Sequence, residues 1–426
     1  MAVFKHILSW SGIALRMLGL RLWYSNSTFY NRALQLLSNE NILFTKIFQS
    51  LANSRNLNIT PELRTQLLHY TTNASYSESE VDYETLDEIE KAYTIQIDRR
   101  VVNSGMIALI FRGSDDAGNN YIIKLKRKNI RETLQFGCES VNFIYTVANW
   151  FRPNHILLRV LKPFILNMDD ILEQCDFSRE IAHLRKAKQD YAELASFVQI
   201  PTVYNTPHPH PQPQQTVSDT SFILMEYING THCLSPSLPE QVRLRYLEQF
   251  CTFMCYGFMY NTIQHTDLHS GNILFTPTGI GIIDFGMAFQ PDDDMYDMII
   301  SILSIIVQKT PIHEIDYVET FRVMFIPPLE REQIKDISKV EDVCIAITEP
   351  LLATYEVDEL ALMDHVHNLS VHLGREVVLH KDLYKLLLGM SMMGTNTVIM
   401  GPTYKNPAKV QEIEKRVIMN VCKDLF

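Results

Sequence analysis

One short polar run constrains the fold of this chain more than any other feature of its sequence. It is His265-Thr-Asp-Leu-His-Ser-Gly-Asn272, and it is followed, after a segment suited to a short hairpin, by Asp284-Phe-Gly286. Two carboxylates and one amide are therefore held at fixed intervals around tight turns. Oxygen donors of these types are the ligands that the hard cation Mg²⁺ prefers. The pattern predicts a compact polar site rather than an ordinary surface loop.

The order of these residues matches two parts of a protein kinase active site, the catalytic loop H-x-D-x-x-x-x-N and the metal-binding turn D-F-G. Phosphoryl transfer needs an acceptor oriented in line and cations on the phosphate oxygens. The pattern predicts that Asp267 orients or deprotonates the acceptor. It also predicts that Asn272 and Asp284 hold Mg²⁺ bound with ATP or ADP, and that Phe285 and Gly286 let the backbone turn toward the metal.

Two other interpretations of the same run are weighed against this one. Asp267 and Asn272 belong to residue types that also cap turns. His265 and His269 have the spacing of zinc ligands on a helix, but the Ser-Gly-Asn that follows favours a loop, and the glutamate of H-E-x-x-H is absent. The kinase-like interpretation is preferred because further parts of such a site occur at fitting positions.

These further parts precede the catalytic loop in the expected order. Lys124 lies mid-strand between apolar residues, and Glu180 is its natural partner for holding the α- and β-phosphates. The alternatives are an exposed edge-strand lysine and an ordinary surface glutamate. Glu226 ends a strand where a kinase hinge would offer backbone groups to adenine. Gly105 is the single glycine where a glycine-rich loop would be expected.

The periodicity of the chain predicts an α+β architecture, namely a bilobal, protein-kinase-like fold with an N-terminal helical extension. Residues 1–80 form the extension, 81–228 the N-lobe with a helical insertion, and 229–426 a helical C-lobe that carries the catalytic loop.

Within the predicted N-lobe, the alternating segments 93–98, 106–111 and 121–125 predict an antiparallel meander. Residues 201–204 and 222–228 are predicted to be further strands. The polar and acidic residues 76–90 are predicted to form a surface connection.

Composition narrows the classes of function. A hydrophobic fraction of 46% allows a sizeable core, and a formal net charge of −11 argues against general nucleic-acid binding, which needs a basic face. Seven scattered cysteines without a C-x-x-C pair predict a reducing compartment and no disulfide framework. Cys251 and Cys255 are predicted to lie in the core. The sequence contains no uninterrupted run of about 18 apolar residues, so we predict no ordinary transmembrane helix.

The N-terminus is basic and amphipathic. No acidic residue precedes Glu40, and apolar residues fall on one helical face: Phe4, Ile7, Leu8, Leu15, Leu18 and Leu22. One interpretation is an organelle transit peptide or an interfacial helix that makes peripheral membrane contact. It implies a mitochondrial or other organellar location. The other is an amphipathic helix packed on the catalytic unit, which leaves a cytoplasmic location open.

Several segments together resemble one family, the UbiB-type atypical kinases, also called AarF-domain-containing kinases. Lys46-Ile-Phe-Gln49 is similar to the K-x-G-Q signature of the family's N-terminal extension, with Phe48 in place of glycine. Residues 103–110 stand where the family has an alanine-rich loop. Gln174-Cys-Asp-Phe-Ser-Arg-Glu180 is similar to E-x-D-Y-x-x-E, and 265–274 matches H-x-D-x-H-x-G-N-I-L completely.

The resemblance implies an extension folded over the active site, with Lys46 and Gln49 pointing toward the nucleotide. Phe48 is expected to pack into the N-lobe and hold the helix down, as part of an apolar helical stripe with Ile47, Leu43 and Leu51. The alternative is that Phe48 props the helix away and opens the cleft. The resemblance also implies an ATPase or small-molecule kinase linked to lipid or quinone metabolism, with a lipid or quinone precursor as substrate. No A-P-E element follows Asp284, which argues against a protein substrate.

Two alternatives to an active enzyme of this family are kept. One is a pseudokinase that serves as a nucleotide-responsive binding module, which the single glycine at Gly105 favours. The other is a small-molecule kinase similar to aminoglycoside or choline kinases. The oligomeric state is not predicted by the sequence.

Overall fold

The computed structural model describes most of the chain, in ranges separated by short gaps. These ranges are 2–24, 26–53, 60, 62–63, 66–67, 74–151, 158, 165, 168–205, 221–232, 238–268, 270–308, 314–354, 359–380, 382–383, 400, 406–421 and 423.

The chain divides into two compact units. The first comprises Met1–Arg179 and Val203–Tyr227, and the second comprises Glu180–Thr202 and Ile228–Phe426. The mixture of helices and small sheets confirms the predicted α+β, kinase-like fold class. The predicted boundaries at residues 80 and 228 stay predictions.

A four-stranded antiparallel sheet forms the centre of the first unit, in the order β1–β2–β3–β5. Its strands are β1 (Gln96–Ser104), β2 (Ala108–Ser114), β3 (Asn120–Lys126) and β5 (Phe222–Glu226). The predicted meander is confirmed, although each strand begins and ends a few residues away from the predicted bounds. Apolar side chains on one sheet face form the core, among them Leu109, Phe111, Ile123 and Leu125, all fully buried.

A helix covers this core where a surface connection was predicted. It spans Tyr83–Tyr93, and its Leu86 and Ile89 are fully buried against the sheet. The prediction for residues 76–90 is therefore wrong from Tyr83 onward. The many acidic residues of the segment obscure a narrow apolar face, because only residues three or four apart share one side of a helix.

The segment 203–205 lies along the edge of the sheet without forming the predicted strand. Val203 makes one isolated bridge to Met225, and Tyr204 N–H donates to Leu224 O at 2.8 Å. Asn205 completes the contact, since its Oδ1 accepts from Leu224 N–H at 2.8 Å and its Nδ2 donates to Phe222 O at 3.0 Å. These bonds satisfy backbone groups that an edge strand would otherwise expose. The two-residue strand β4 (Val198–Gln199) lies a few residues earlier.

The helices of the first unit include the predicted extension. They are α1 (Ala2–Trp23), α2 (Asn26–Glu40), α3 (Leu43–Asn53), α4 (Tyr83–Tyr93), α5 (Ile130–Phe151) and α6 (Met168–Glu173), followed by α7 (Phe177–Asp190), whose first residues belong to this unit. Phe48 is buried at 2% exposure and packs with Leu67, Leu34, Leu37, Phe44 and Leu63. These partners belong to the extension itself, and the expected packing of Phe48 into the N-lobe stays a prediction.

The first helix presents three leucines to solvent: Leu15, Leu18 and Leu22, at 70%, 57% and 76% exposure. Arg16 of this helix forms an ion pair with Glu40 of α2. The side chains of Phe4, Ile7 and Leu8 lie outside the described part of the chain. No described helix is long and apolar enough to cross a membrane.

In its described residues, the second unit is mainly helical and contains three small sheets. Its remaining strands are β6 (Thr231–His232), β7 (Gln264–His265), β8 (Ile273–Phe275), β9 (Ile280–Ile282), β10 (Ala288–Phe289), β11 (Phe325–Ile326) and β12 (Val378–Leu379). Its further helices are α8 (Glu240–Met259), α9 (Asp293–Gln308), α10 (Tyr317–Phe321), α11 (Ser338–Thr354), α12 (Glu359–Leu373) and α13 (Pro407–Val421). Cys251 and Cys255 on α8 are buried, which confirms their predicted place in the core.

Candidate active site

Two short antiparallel pairings hold the catalytic loop and the metal-binding turn of the second unit together. Strands β7 and β10 pair through His265 with Ala288, and the β8–β9 hairpin pairs Ile273 with Ile282. The hairpin is the one suggested by the sequence between the two motifs. Because each motif leaves one pairing and enters the other, both ends of the polar loop are fixed by backbone bonds.

The ring of His265 connects the two motifs directly. Asp267 N–H donates to His265 Nδ1 at 3.1 Å, so Nδ1 is an acceptor and the ring is the neutral tautomer with its proton on Nε2. Nε2–H then donates to the carbonyl of Asp284. The ring also contacts that of Phe285, with 4.9 Å between centroids. Since backbone groups engage both ring nitrogens, the geometry does not favour the zinc interpretation of His265. His269 lies outside the described residues.

The catalytic loop folds through its own backbone. Asn272 ends a short 3-10 turn, Ser270–Asn272, and its Nδ2 donates to Asp267 O at 2.9 Å. Asn272 O accepts from Ile283 N–H at 3.1 Å, which joins the loop to the strand before Asp284. The amide of Asn272 is buried at 8% exposure, whereas Asp267 is partly exposed. Loop closure therefore uses the main chain of Asp267 and leaves its carboxylate side chain at the surface of the loop.

Asp284, Phe285 and Gly286 form a tight turn. Gly286 N–H donates to Asp284 Oδ1 at 2.8 Å, which fixes the carboxylate. A Cβ added to Gly286 would lie 3.1 Å from Asp284 Oδ1 and 3.5 Å from Glu180 Oε2. Glycine thus lets two carboxylates approach one backbone position closely. Phe285 is fully buried and anchors the turn.

Helix α7 supports the site at two points. His183 Nδ1 makes a 3.1 Å hydrogen bond with the carbonyl of Phe285. At the far end, Asp190 Oδ2 accepts from Ile263 N–H and the Tyr191 hydroxyl donates to Ile263 O, both at 2.9 Å. Burial raises the pKa of Tyr191, so its hydroxyl keeps this proton across the physiological range. The helix that carries Glu180 is therefore joined to the metal-binding turn and to the chain just before the catalytic loop.

The donor set fits Mg²⁺. Asn272 and Asp284 offer an amide and a carboxylate oxygen, and the described residues contain no group of three or more His, Cys, Asp or Glu that could hold a metal alone. Mg²⁺ at phosphoryl-transfer sites is held by one or two such side chains, with substrate phosphates and water completing the octahedron. Asn272 and Asp284 therefore suit a Mg²⁺ ion that is also held by substrate phosphates and water. They do not form a site in which protein ligands alone hold the metal.

Lys124 lies in the first unit, in the middle of β3, hydrogen-bonded between β2 and β5. It is 9% exposed, so the edge-strand alternative is wrong. Its Nζ lies 5.8 Å from the ring centroid of Phe177, and Lys126 Nζ on the same strand face lies 5.0 Å from that centroid. A ring face at this distance attracts a cation. Burial lowers the pKa of Lys126.

Glu180 is buried at 3% exposure, so the alternative of an ordinary surface glutamate is also wrong. It stands three residues after Phe177 on the same helix. The ion pair between Lys124 and Glu180 stays a prediction.

The remaining predicted nucleotide contacts occupy ordinary backbone positions of the first unit. Gly105 lies in the turn between β1 and β2, where its N–H donates to Ala108 O at 2.9 Å. Glu226 is the last residue of β5 and pairs in register with Tyr121. Lys46 lies on α3 and is partly buried, and the side chain of Gln49 lies outside the described part. The predicted roles of all four residues stay predictions.

Sequence reasoning did not identify His183, Asp190 or Arg127 as parts of the site's framework. His183 could have been found, because it follows Glu180 by three residues and therefore shares its helix face. Arg127 lies between Lys126 and Lys128, and such a run of cations is typical of a solvated strand end. Nothing in that local sequence indicates that Arg127 is buried.

Comparison with known proteins gives one family. The model of the ABC1 atypical kinase-like domain matches residues 71–311, which is more than half of the chain. No curated protein sequence matches the chain.

Similarity to solved structures is distant. The complex of Rv3197 with erythromycin from Mycobacterium tuberculosis has 15% identity and a TM-score of 0.45, covering 81% of this chain and 86% of that one. The Rio2 kinase–ADP/Mg²⁺–phosphoaspartate complex from Chaetomium thermophilum has 11% identity and a TM-score of 0.30, covering 83% and 96%. The maize SIRK1 kinase domain bound to AMP-PNP has 9% identity and a TM-score of 0.24, covering 78% and 95%.

Proposed function

The chain belongs to the family of ABC1 atypical kinase-like domains, the UbiB/AarF family, and from this premise we propose that it binds ATP or ADP with Mg²⁺ and turns over the terminal phosphoryl group. The observation that carries the proposal is the double hydrogen bond of His265. One ring holds the main chain of Asp267 and that of Asp284 at the same time. Asp267, proposed to act on the acceptor, and Asp284, proposed to hold the metal, are thereby fixed with respect to each other.

Each residue has a distinct part in the proposed reaction. Mg²⁺, when bound, supplies positive charge to the phosphate oxygens. Asn272 and Asp284 would hold it, and Lys124 would hold the α- and β-phosphates. The Asp267 carboxylate would orient the attacking hydroxyl or water and accept its proton as the new P–O bond forms. The bond between the γ-phosphorus and the β–γ bridging oxygen would break in the same reaction, and ADP would leave. This division of work suits a reaction whose catalysis is mostly positioning and electrostatics.

A lipid or a quinone precursor is the proposed acceptor class. The chain enters helix α9 at Asp293, only seven residues after Gly286, and Asp292 Oδ1 caps this helix by accepting from Met295 N–H at 2.9 Å. This short connection offers little main chain for a peptide platform. The exposed leucines of α1 and the basic residues of the N-terminus support peripheral contact with an anionic membrane surface, in a mitochondrion or another organelle.

Thermal melting with nucleotide tests the proposal. Mg-ADP or Mg-ATP at 100 times its Kd should stabilise the protein by about 2.7 kcal/mol. Asp284→Asn should lose most of this shift, because it weakens a predicted metal ligand. Asp116→Asn, a matched change at an exposed turn of the first unit, should keep it.

The absence of a shift for the folded wild-type protein at millimolar Mg-nucleotide would overturn the proposal. A shift without any turnover of ATP would instead favour the pseudokinase alternative.

A further inference from the structure

Arg127, just after β3, has a buried guanidinium that donates hydrogen bonds to the turn between β1 and β2. Its Nε–H donates to Gly105 O at 3.1 Å, and its Nη2 donates to the same carbonyl at 2.8 Å and to Ser104 Oγ at 2.6 Å. The backbone N–H of Arg127 also donates to Ile107 O at 2.9 Å. Four bonds from one residue thus fix the turn 104–107.

The other edge of the same guanidinium holds the segment 74–80, which is the end of the predicted extension and leads into helix α4. Nη1 donates to Ser75 O at 3.0 Å and forms an ion pair with Glu80. The two segments also touch directly, since Ala74 N–H donates to Ser104 O at 2.9 Å. With these contacts, all five N–H donors of the Arg127 side chain have acceptors.

Burial makes these contacts interdependent. Arg127 is 3% exposed, and loss of hydration lowers its pKa while the charge of Glu80 opposes that shift. A buried cation left without its partner is strongly destabilising. The planar fork of arginine reaches acceptors on two sides, a geometry that a lysine ammonium cannot reproduce. Displacement of either segment therefore leaves the guanidinium with unsatisfied donors and disturbs the other segment.

We propose that Arg127 is a positioning residue that couples segment 74–80 to the turn 104–107, so that nucleotide affinity depends on how the N-terminal extension is held. In kinases the corresponding turn covers the nucleotide phosphates. Most such turns rely on several glycines, whereas this one has only Gly105 and is fixed by a buried side chain. The inference rests on the proposed function for the role of the turn, but the coupling itself does not require nucleotide.

The first experiment measures the coupling without nucleotide, by hydrogen exchange of the full-length protein resolved by mass spectrometry. Arg127→Gln should raise exchange in peptides covering both 74–80 and 104–108. Arg99→Gln is the matched control, because Arg99 on β1 forms its ion pairs with Asp87 and Glu90 of α4, outside both segments. The control should leave both peptides unchanged.

The second experiment adds Mg-ADP and measures affinity by calorimetry and protection by exchange. In the wild-type protein, Mg-ADP should slow exchange of segment 74–80 as well as of the turn. Arg127→Gln should weaken binding by at least about fivefold, the lower end of typical coupling between sites, and should lose protection of 74–80. Arg127→Lys should keep the charge yet rescue the coupling only in part.

The outcomes separate the two proposals. If the wild-type protein does not bind Mg-nucleotide, the proposed function fails, and the exchange experiment without nucleotide still decides the coupling. If Arg127→Gln loosens one segment and not the other, or binds Mg-ADP with wild-type affinity, the coupling is overturned. Should Arg127→Gln not fold, Glu80→Gln and Ser104→Ala remove one contact on each side and must each loosen the opposite segment.

Discussion

At the scale of residues, His265 explains how the catalytic loop and the metal-binding turn are held close to each other in space. A neutral imidazole has one donor and one acceptor on opposite sides of a small ring. Here the acceptor meets Asp267 N–H and the donor meets Asp284 O, so one ring sets the distance between two motifs. Both aspartates contribute main-chain groups to this framework, and their side chains are the ones proposed to act on the acceptor and on the metal.

The main chain of Asp267 holds the loop while its side chain has the proposed catalytic role, and this separation predicts the effect of Asp267→Asn. The amide has the size of the carboxylate, and the loop is held by the main chain of Asp267, so the fold and the Kd for Mg-ATP should stay within about twofold. Loss of a general base should lower the rate of ATP turnover by about 10²- to 10⁴-fold. Steady-state hydrolysis and calorimetry on the same sample measure the two quantities. Unchanged turnover would show that Asp267 does not act on the acceptor.

The sequence predicted the side chains of the second unit's motifs better than it predicted their supports. Asp267, Asn272 and Asp284 lie close along the chain, so spacing alone places them around two neighbouring turns. Arg127 is different, because its contacts at Ser75 and Gly105 depend on a sheet register and a chain crossing that no local pattern encodes. Buried polar partners at long sequence separation were therefore missed.

At the scale of elements, the side chain of Asn41 makes a close contact that attaches the extension to α5. Asn41, between α2 and α3, donates from Nδ2 to Thr133 O at 2.8 Å and accepts at Oδ1 from Leu43 N–H at 2.9 Å. Gly137 of α5 makes room for it, since a Cβ there would lie 2.7 to 3.0 Å from three atoms of the Asn41 side chain. A mid-helix glycine, which is unfavourable for the helix alone, is explained by this approach.

Gly137→Ala should therefore loosen the extension. Alanine favours an isolated helix by about 1 kcal/mol, but the added Cβ displaces Asn41 and breaks its two hydrogen bonds. Hydrogen exchange in residues 41–53 should rise, with little change in the strands of the sheet. Asn41→Ala in the Gly137→Ala background should add almost nothing further, because both changes remove the same contact. Increased protection of 41–53 in Gly137→Ala would contradict this account.

Helix α4 shows the limit of element prediction from composition. Its eleven residues are mostly polar, and its two buried apolar side chains, Leu86 and Ile89, are too few for a clear period. The sheet needs a cover for its apolar face, and that need is visible only once the strands are assembled. The meander, in contrast, was predictable because each strand alternates and the turn residues separate them.

At the scale of the whole molecule, the two units do not follow the order of the chain. Residues Glu180–Thr202 belong to the second unit, although they lie in sequence between the two segments of the first. Linear boundaries cannot express such an arrangement, since membership depends on contacts between distant segments. A measurement that reports on each unit separately is therefore more informative than a single melting curve.

The buried cysteines provide that measurement. Cys138 and Cys175 lie in the first unit, and Cys251 and Cys344 in the second, all at 5% exposure or less. Burial raises the pKa of Cys138 to about 11 and raises the pKa of Cys251 and Cys344 well above that of a free thiol. Because the thiolate is the reactive form, labelling at pH 8 requires local opening of the unit that holds the thiol.

Peptide-resolved iodoacetamide labelling should consequently give a separate opening rate for each pair. Mg-ADP should slow the labelling of Cys251 and Cys344, because the predicted metal ligands Asn272 and Asp284 lie in the same unit and ligand binding stabilises the closed form. At 100 times Kd the slowing should approach about 100-fold where opening abolishes binding. Asp284→Asn should abolish the slowing while leaving the rates without nucleotide nearly unchanged. Equal labelling of Cys251 with and without saturating Mg-ADP would mean that nucleotide does not stabilise the second unit, and that Asn272 and Asp284 do not form its metal site.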